Sequence, residues 1–313
     1  MTTALVFPGQ GSQVVGMGKA LADQFSVAKQ VFDEVDAALG EKLSALVFEG
    51  PQDMLTMTQN AQPAIMATSI AALRVLETET GFDVAKHASM VAGHSLGEYS
   101  ALVAAGSLSI TDAARLLRIR GNAMQAAVPA GMGAMAALLG VDYEQAAVIA
   151  AEAAQGEVCS VANDNAPGQV VVSGARAAVE RSLLIAKDKG AKRAVMLEVS
   201  APFHCALMAP AAGVMAQALA AATMNAPCVP VVTNVTAALQ ADPAMLRDLL
   251  VDQVTAMVRW RESVMFMKAQ GVTSIIEIGA GKVLAGLNKR IAPEMDVRNV
   301  GMPSDLEVLA AAA

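Results

Sequence analysis

An α/β fold built on a largely parallel sheet is predicted by three features of this chain. Short apolar runs of strand length recur along it, and helix-length segments separate most of them, which is the pattern of βαβ units. Composition agrees: of 313 residues, 55% are hydrophobic, 16% charged and only 3% aromatic. Such a chain has enough apolar surface to bury a large core, with aliphatic and thioether side chains carried on many helices.

The strand-like runs fall at 4–7, 89–92, 135–139, 170–172, 194–199, 229–233 and 274–278. Between 131 and 199 the order is strand, helix 143–154, strand, a turn at Asn165-Ala166-Pro167-Gly168, strand, helix 177–189, strand. That β-α-β-β-α-β order is the order of a ferredoxin-like unit. It predicts a small subdomain, residues 130–199, inserted into a main domain made of residues 1–129 and 200–313. The crossings are Pro129-Ala130-Gly131 and Ser200-Ala201-Pro202, and a ligand cleft is expected where the two parts meet. The terminal alanines 310–313 are expected to fray.

A net charge of −7 and the absence of any run of Lys or Arg argue against a nucleic-acid partner. Docking of an anionic partner then needs a local basic patch, for which Arg118, Arg120, Lys187, Lys189, Lys192 and Arg193 are candidates. Cys159, Cys205 and Cys228 have neither CxxC spacing nor an even count, so no zinc site or disulfide framework is expected. The start of the chain lacks the pattern of a secretory signal, and no apolar run is long enough for a bilayer, so a cytoplasmic protein without a membrane contact is expected. Gly279-Ala280-Gly281-Lys282 lacks both the first glycine and the Ser or Thr of a P-loop and is expected as a strand-to-helix turn. Met132 and Met135 are expected as filler rather than metal ligands.

Chemistry is concentrated around Gly93-His94-Ser95-Leu96-Gly97. A strand-like stretch precedes it and a good helix, 98–105, follows, which is the context of a nucleophile elbow. Flanking glycines allow a sharp turn and keep side chains away from the Ser95 hydroxyl. The helix N-terminus beyond it aims the Leu96 N–H at a developing oxyanion. A serine nucleophile needs a base, and the chain holds three histidines. His94 adjoins the serine and should point away, and His87 lies in a polar stretch. Elimination leaves His204, in Pro202-Phe203-His204-Cys205. No acid that could orient its imidazole is evident, and a backbone carbonyl can serve instead.

Four separated motifs together, Phe7-Pro8-Gly9-Gln10-Gly11-Ser12-Gln13, Gly93-His94-Ser95-Leu96-Gly97-Glu98, Arg118-Ile119-Arg120-Gly121 and Phe203-His204, resemble the malonyl-CoA:acyl carrier protein transacylases over nearly the whole chain. The resemblance implies a hydrolase-like main domain and a ping-pong reaction: Ser95 takes malonyl from malonyl-CoA as an ester, and the phosphopantetheine thiol of acyl carrier protein accepts it. No cofactor or metal is implied. By the family pattern the main-chain carbonyl of Gln253 holds His204, and Gln10 joins Leu96 in the oxyanion hole. Arg120 pairs with the free malonyl carboxylate, which a planar guanidinium can hold bidentately. Phe203 resembles the malonyl-selective form of its loop, and Asn163 and Met135 lie at positions facing the cleft. Fatty acid synthesis is the implied pathway. A discrete polyketide acyltransferase and a serine esterase or thioesterase are the rivals, with a non-enzymatic carrier-binding protein as the remaining class.

Overall fold

The computed structural model describes residues 2–310, so the alanines 311–313 lie outside the described residues. In chain order its strands are β1 (Thr3–Phe7), β2 (Met90–Gly93), β3 (Gly133–Leu139), β4 (Cys159–Ala166), β5 (Gln169–Ala175), β6 (Arg193–Met196), β7 (Val231–Val232), β8 (Leu239–Gln240), β9 (Ser274–Ile278) and β10 (Asp296–Val300).

Alternation along β1 shows why the main sheet is covered on both faces. Leu5 and Phe7 enter one core with Val31, Phe32, Ile65, Ile70 and Leu117, on the helices Ser26–Leu39, Thr58–Thr80 and Ile110–Ala126. Ala4 and Val6 enter a separate core with Trp260, Val264, Leu284 and Leu287, on the helices Trp260–Ala269 and Val283–Ile291. Strands of a parallel sheet are buried on both sides and therefore read as continuous apolar runs. The sheet order is β10-β9-β1-β2-β7-β8, parallel throughout except for the β7–β8 pair.

The second sheet, β4-β5-β3-β6, is antiparallel and has the ferredoxin-like order. Ala134, Ala136 and Leu138 of β3 pack on Ile149 and Val179 of the helices Tyr143–Ala154 and Arg176–Asp188. Met135 and Val171, on the opposite face, join the larger core of the main sheet. The inserted sheet thus turns its helix-free face toward the main sheet, which is where the cavity described below forms.

Differences from the sequence expectations have local causes. The 229–233 run keeps only Val231–Val232 as strand, because Pro230 has no N–H and only its carbonyl is used, accepting from Val91 N at 3.0 Å. The 194–199 run leaves the sheet after Met196, and Leu197, Glu198 and Val199 line the cavity instead. β4 runs to Ala166, so the expected four-residue turn shrinks to Pro167-Gly168, with Gly168 at φ 70°. β8 and β10 lie outside the strand-like runs: both are edge strands, and Asp296-Val297-Arg298-Asn299-Val300 carries no apolar run to signal one.

Candidate active site

β2 ends at Gly93 and the helix Gly97–Ala104 starts four residues later, so the chain must reverse within the pentapeptide. Ser95 takes the left-handed conformation, φ 53°, that a tight elbow imposes on its central residue. The glycines serve packing more than access. A Cβ on Gly93 would overlap the Gly97 carbonyl, and one on Gly97 the Phe7 carbonyl. Gly9 is held the same way, its Cβ position lying 2.6 Å from the His94 carbonyl oxygen. The β1 loop and the elbow are therefore interlocked backbone to backbone.

Asn234, just beyond β7, clamps the turn from the other side. Its Oδ1 accepts from Ser95 N at 2.7 Å, and its Nδ2 donates to the Gly93 carbonyl at 2.6 Å. His204, also in a left-handed conformation at φ 58°, sits 4% exposed with Nε2 2.8 Å from Ser95 Oγ. Its Nδ1 faces the carbonyls of Gln253 (2.9 Å) and Ala256 (3.1 Å). Carbonyls only accept, so the proton sits on Nδ1, Nε2 is left as the acceptor, and the Ser95 hydroxyl donates to it. Burial pushes His204 down to about 3, with the nearby Arg120 cation acting in the same direction. The imidazole is thus neutral and ready to take a proton.

Arg120 lies on the helix Ile110–Ala126, which crosses the helix Thr58–Thr80 so closely that a Cβ on Gly121 would stand 2.5 Å from Gln59 Cα. That contact places Arg120 beside Gln62. The side chain is 1% exposed, and its Nη1 donates to Gln62 Oε1 at 2.8 Å. Nη2 donates to Gln253 Oε1 at 2.8 Å and to Ser95 Oγ at 3.1 Å, and Nε has no partner. The guanidinium carbon stands 5.8 Å from the Tyr99 ring centre. No carboxylate pairs with this cation among the described residues. It is therefore no part of a surface patch, a correction to its place among the docking candidates. Of the others, Arg118 is ion-paired with Glu41 and Lys189 with Glu152.

A cavity of about 360 Å³ opens over these groups, lined by Ser95, Leu96, Gln10, Arg120, His204 and Phe203, with Met135 and Asn163 from the inserted sheet. Every catalytic, oxyanion-hole and acyl-binding candidate from the sequence except Gln253 lines it, and Gln253 stands directly behind, through both its carbonyl and its side chain. The Gln10 side chain, however, donates to Thr58 Oγ1 at 3.2 Å. What Gln10 leaves free is its main-chain N–H, which like that of Leu96 has no hydrogen-bond partner among the described residues. His94 points away from Ser95 Oγ, its Nε2 2.8 Å from Asn165 Oδ1 and its ring 5.7 Å from that of Trp260. Sequence reasoning missed Asn234, Gln62, Asn165 and the Glu98 carboxylate. Of these only Glu98, adjoining the pentapeptide, carried any local signal. No group of three or more His, Cys, Asp or Glu that could hold a metal occurs among the described residues.

A serine hydroxyl bonded to a neutral, carbonyl-oriented imidazole, beside the free amides of Leu96 at a helix N-terminus and of Gln10 in the loop after β1, defines an acyl-transfer site on an α/β sheet. Comparison with known proteins agrees. The family model of the acyl transferase domain matches residues 4–297. The malonyl CoA-acyl carrier protein transacylase of Escherichia coli K12 is 48% identical over 301 residues, covering 96% of each chain. A crystal structure of acyl-carrier-protein-S-malonyltransferase from Bartonella henselae superposes with a TM-score of 0.97 at 54% identity, covering 100% of this chain and 99% of that one. A type II PKS acyl-carrier protein in complex with its malonyl-transacylase gives a TM-score of 0.96 at 44% identity, with both chains fully covered. The chain belongs to the malonyl CoA-acyl carrier protein transacylases of the acyl transferase domain family.

Proposed function

We propose that the protein moves a malonyl group from malonyl-CoA to the phosphopantetheine thiol of an acyl carrier protein through a malonyl ester on Ser95. One observation carries the malonyl specificity: a buried guanidinium 3.1 Å from the Ser95 hydroxyl, held by neutral carboxamides and paired with no carboxylate of the described residues. A hydrolase of simple esters has no use for an unneutralised buried cation at its nucleophile.

In the first half-reaction His204 Nε2 takes the Ser95 proton as Oγ attacks the thioester carbonyl. The Leu96 and Gln10 N–H groups receive the oxyanion. Collapse expels CoA, whose sulfur recovers the proton from His204. The carrier thiol then attacks the ester, with His204 taking the thiol proton and returning it to Ser95 Oγ. The Gln253 carbonyl keeps the imidazole in the required tautomer. Phe203, Met135 and Asn163 shape the pocket around the acyl chain, and Phe203 leaves little room for an α-branch. Residues 130–199 act as a subdomain closing over the cleft of the 1–129 and 200–313 catalytic domain. The cytoplasm is the proposed compartment, in keeping with three free thiols and with no helix long and apolar enough to cross a membrane among the described residues.

Fatty acid synthesis is the proposed pathway. A polyketide carrier is the second reading, favoured by the whole-chain likeness to a malonyl-transacylase seated on a type II PKS carrier, and transfer rates to holo carriers of both kinds decide between them. The central test is mass spectrometry after mixing with malonyl-CoA. A malonyl adduct on the Ser95 peptide, discharged quickly by holo carrier and slowly by water, is expected. An adduct that persists in Ser95→Ala refutes the mechanism.

A further inference from the structure

Glu98 is a carboxyl inside the core with no assigned purpose. It is 1% exposed, and its two oxygens are used unequally. Oε2 accepts from Asn234 N at 3.1 Å and from Gln253 Nε2 at 2.8 Å, while Oε1 has no partner. The same Gln253 amide donates to the Ser95 carbonyl at 3.1 Å and turns its Oε1 to Arg120 at 2.8 Å. Glu98 and Arg120 are therefore a buried anion and cation separated by one carboxamide, whose two ends they orient.

The charged and titratable groups around Glu98 are few. Arg120 comes from the helix Ile110–Ala126, and Tyr99 adjoins Glu98 on its own helix. The buried stretch of the neighbouring helix from Asn60 to Leu73 carries no charge, nor does β1. In the empty site Arg120 is thus the one cation available to offset Glu98 among the described residues. Burial pushes Glu98 up to about 7, with Gln253, Asn234 N and Arg120 holding it lower than burial alone would.

We infer that Glu98 balances the charge of the acyl-enzyme: ionised in the empty site, it takes one proton from solvent when a malonyl carboxylate pairs with Arg120. This rests on the malonyl reading above. The balance is malonyl-CoA, the Ser95 hydroxyl, the Glu98 carboxylate and one proton going to malonyl-Ser95, CoA thiol and the Glu98 carboxylic acid. The reason is electrostatic. Two carboxylates sharing one buried cation cannot both stay ionised at low cost, and the substrate, in direct contact with Arg120, keeps its charge. The Glu98 oxygen without a partner can carry the proton while the other keeps both N–H bonds. Glu98 is a positioning residue that adapts its charge to the acyl group.

The test is proton uptake measured with a pH indicator in weakly buffered solution at pH 7.5, as malonyl-CoA is mixed with wild type and with Glu98→Gln. Gln is a permanently neutral mimic that retains the acceptor oxygen. Subtracting the Glu98→Gln signal cancels protons exchanged by the CoA thiol, and mass spectrometry of the same samples counts malonyl-serine. Wild type is expected to take up more protons per adduct than Glu98→Gln does, by about half a proton or more. Equal uptake with adduct formed in both overturns the inference and leaves the malonyl reading standing. Absence of adduct from wild type refutes that reading itself. Infrared difference spectra of wild type alone give a second readout that needs no substitution: a protonated-carboxyl band must appear on loading, and its absence overturns the inference.

Discussion

Replacing Arg120 with alanine should change which acyl group the enzyme prefers. The guanidinium has five N–H donors, of which three are used, by Gln62, Gln253 and Ser95. Two remain for a substrate carboxylate in a site that water scarcely reaches. Removing one partner of a buried ion pair costs about 3–5 kcal/mol. At about 1.36 kcal/mol per factor of ten, kcat/KM for malonyl-CoA should fall roughly 10²- to 10⁴-fold. Acetyl-CoA has no carboxylate to lose, and its entry no longer leaves a buried cation unpaired, so its kcat/KM should hold or rise. The substitution also orphans the Gln62 and Gln253 carboxamide oxygens, at about 1–3 kcal/mol of stability each. That loss is common to both substrates and cancels from the malonyl-to-acetyl ratio. The assay is transfer to holo carrier from each CoA thioester over a range of concentrations. An equal fall with both acyl groups refutes the carboxylate role.

Because burial and Arg120 hold His204 near 3, the acid limb of kcat/KM should lie well below the ordinary histidine range, and a half-maximal rate near pH 6.5 would contradict the burial of His204 beside that cation. A lowered histidine value means the unfolded chain binds more protons between about 3 and 6.5, so His204 contributes stability above 6.5 that is lost on acidification. Glu98 and Glu277, both raised by burial to about 7, act oppositely: their contribution is full below 4.5 and lost as pH rises through 7. Thermal melts should therefore show no loss of stability from pH 8 to 6, and a steady fall across that span would contradict the two buried carboxyls. Asn234→Ala removes both side-chain bonds that clamp the elbow, so kcat should drop at least about tenfold with little change in KM, and unfolding midpoints should fall by the equivalent of about 2 kcal/mol. A KM effect alone in steady-state kinetics would place Asn234 in binding instead.

The elements that could be read from the sequence were those whose signal is local. β1 and β9 are apolar runs buried on both faces, and the elbow is a strand, a glycine-flanked turn and a helix in immediate succession. His204 emerged only because the chain has three histidines, and Arg120, Gln10 and Gln253 only through motif resemblance. What stayed hidden depends on contacts between distant positions. Asn234 meets Ser95 across 139 residues, Gln62 meets Arg120 across 58 and Gln253 meets Glu98 across 155. A lone Asn or Gln has no periodicity or spacing that marks it, and its role exists only once the sheet has assembled. Gln10 shows the complementary case: the position was legible, but the side chain turns to Thr58 and leaves the main-chain amide as the free donor.

Those hidden amides explain how the site keeps a cation usable. Had Glu98 paired with Arg120 directly, the guanidinium would be neutralised in advance, and a malonyl carboxylate would have to displace a buried ion pair to bind. Had nothing anionic stood near, Arg120 would be an isolated buried charge, far costlier than a folded domain of marginal stability tolerates. Carboxamides resolve this. Gln62 and Gln253 accept from the guanidinium and fix its plane without cancelling its charge, while Gln253 passes its other end to Glu98 at one amide's remove. The Gln253 backbone meanwhile orients His204. Gln253 thereby touches the proposed carboxylate-binding cation with its side chain and the proposed base with its backbone. Gln253→Ala keeps the carbonyl that orients His204 and removes the contacts to Arg120, Glu98 and the Ser95 carbonyl, so the malonyl-to-acetyl ratio of kcat/KM in transfer assays should fall, and an unchanged ratio refutes the coupling.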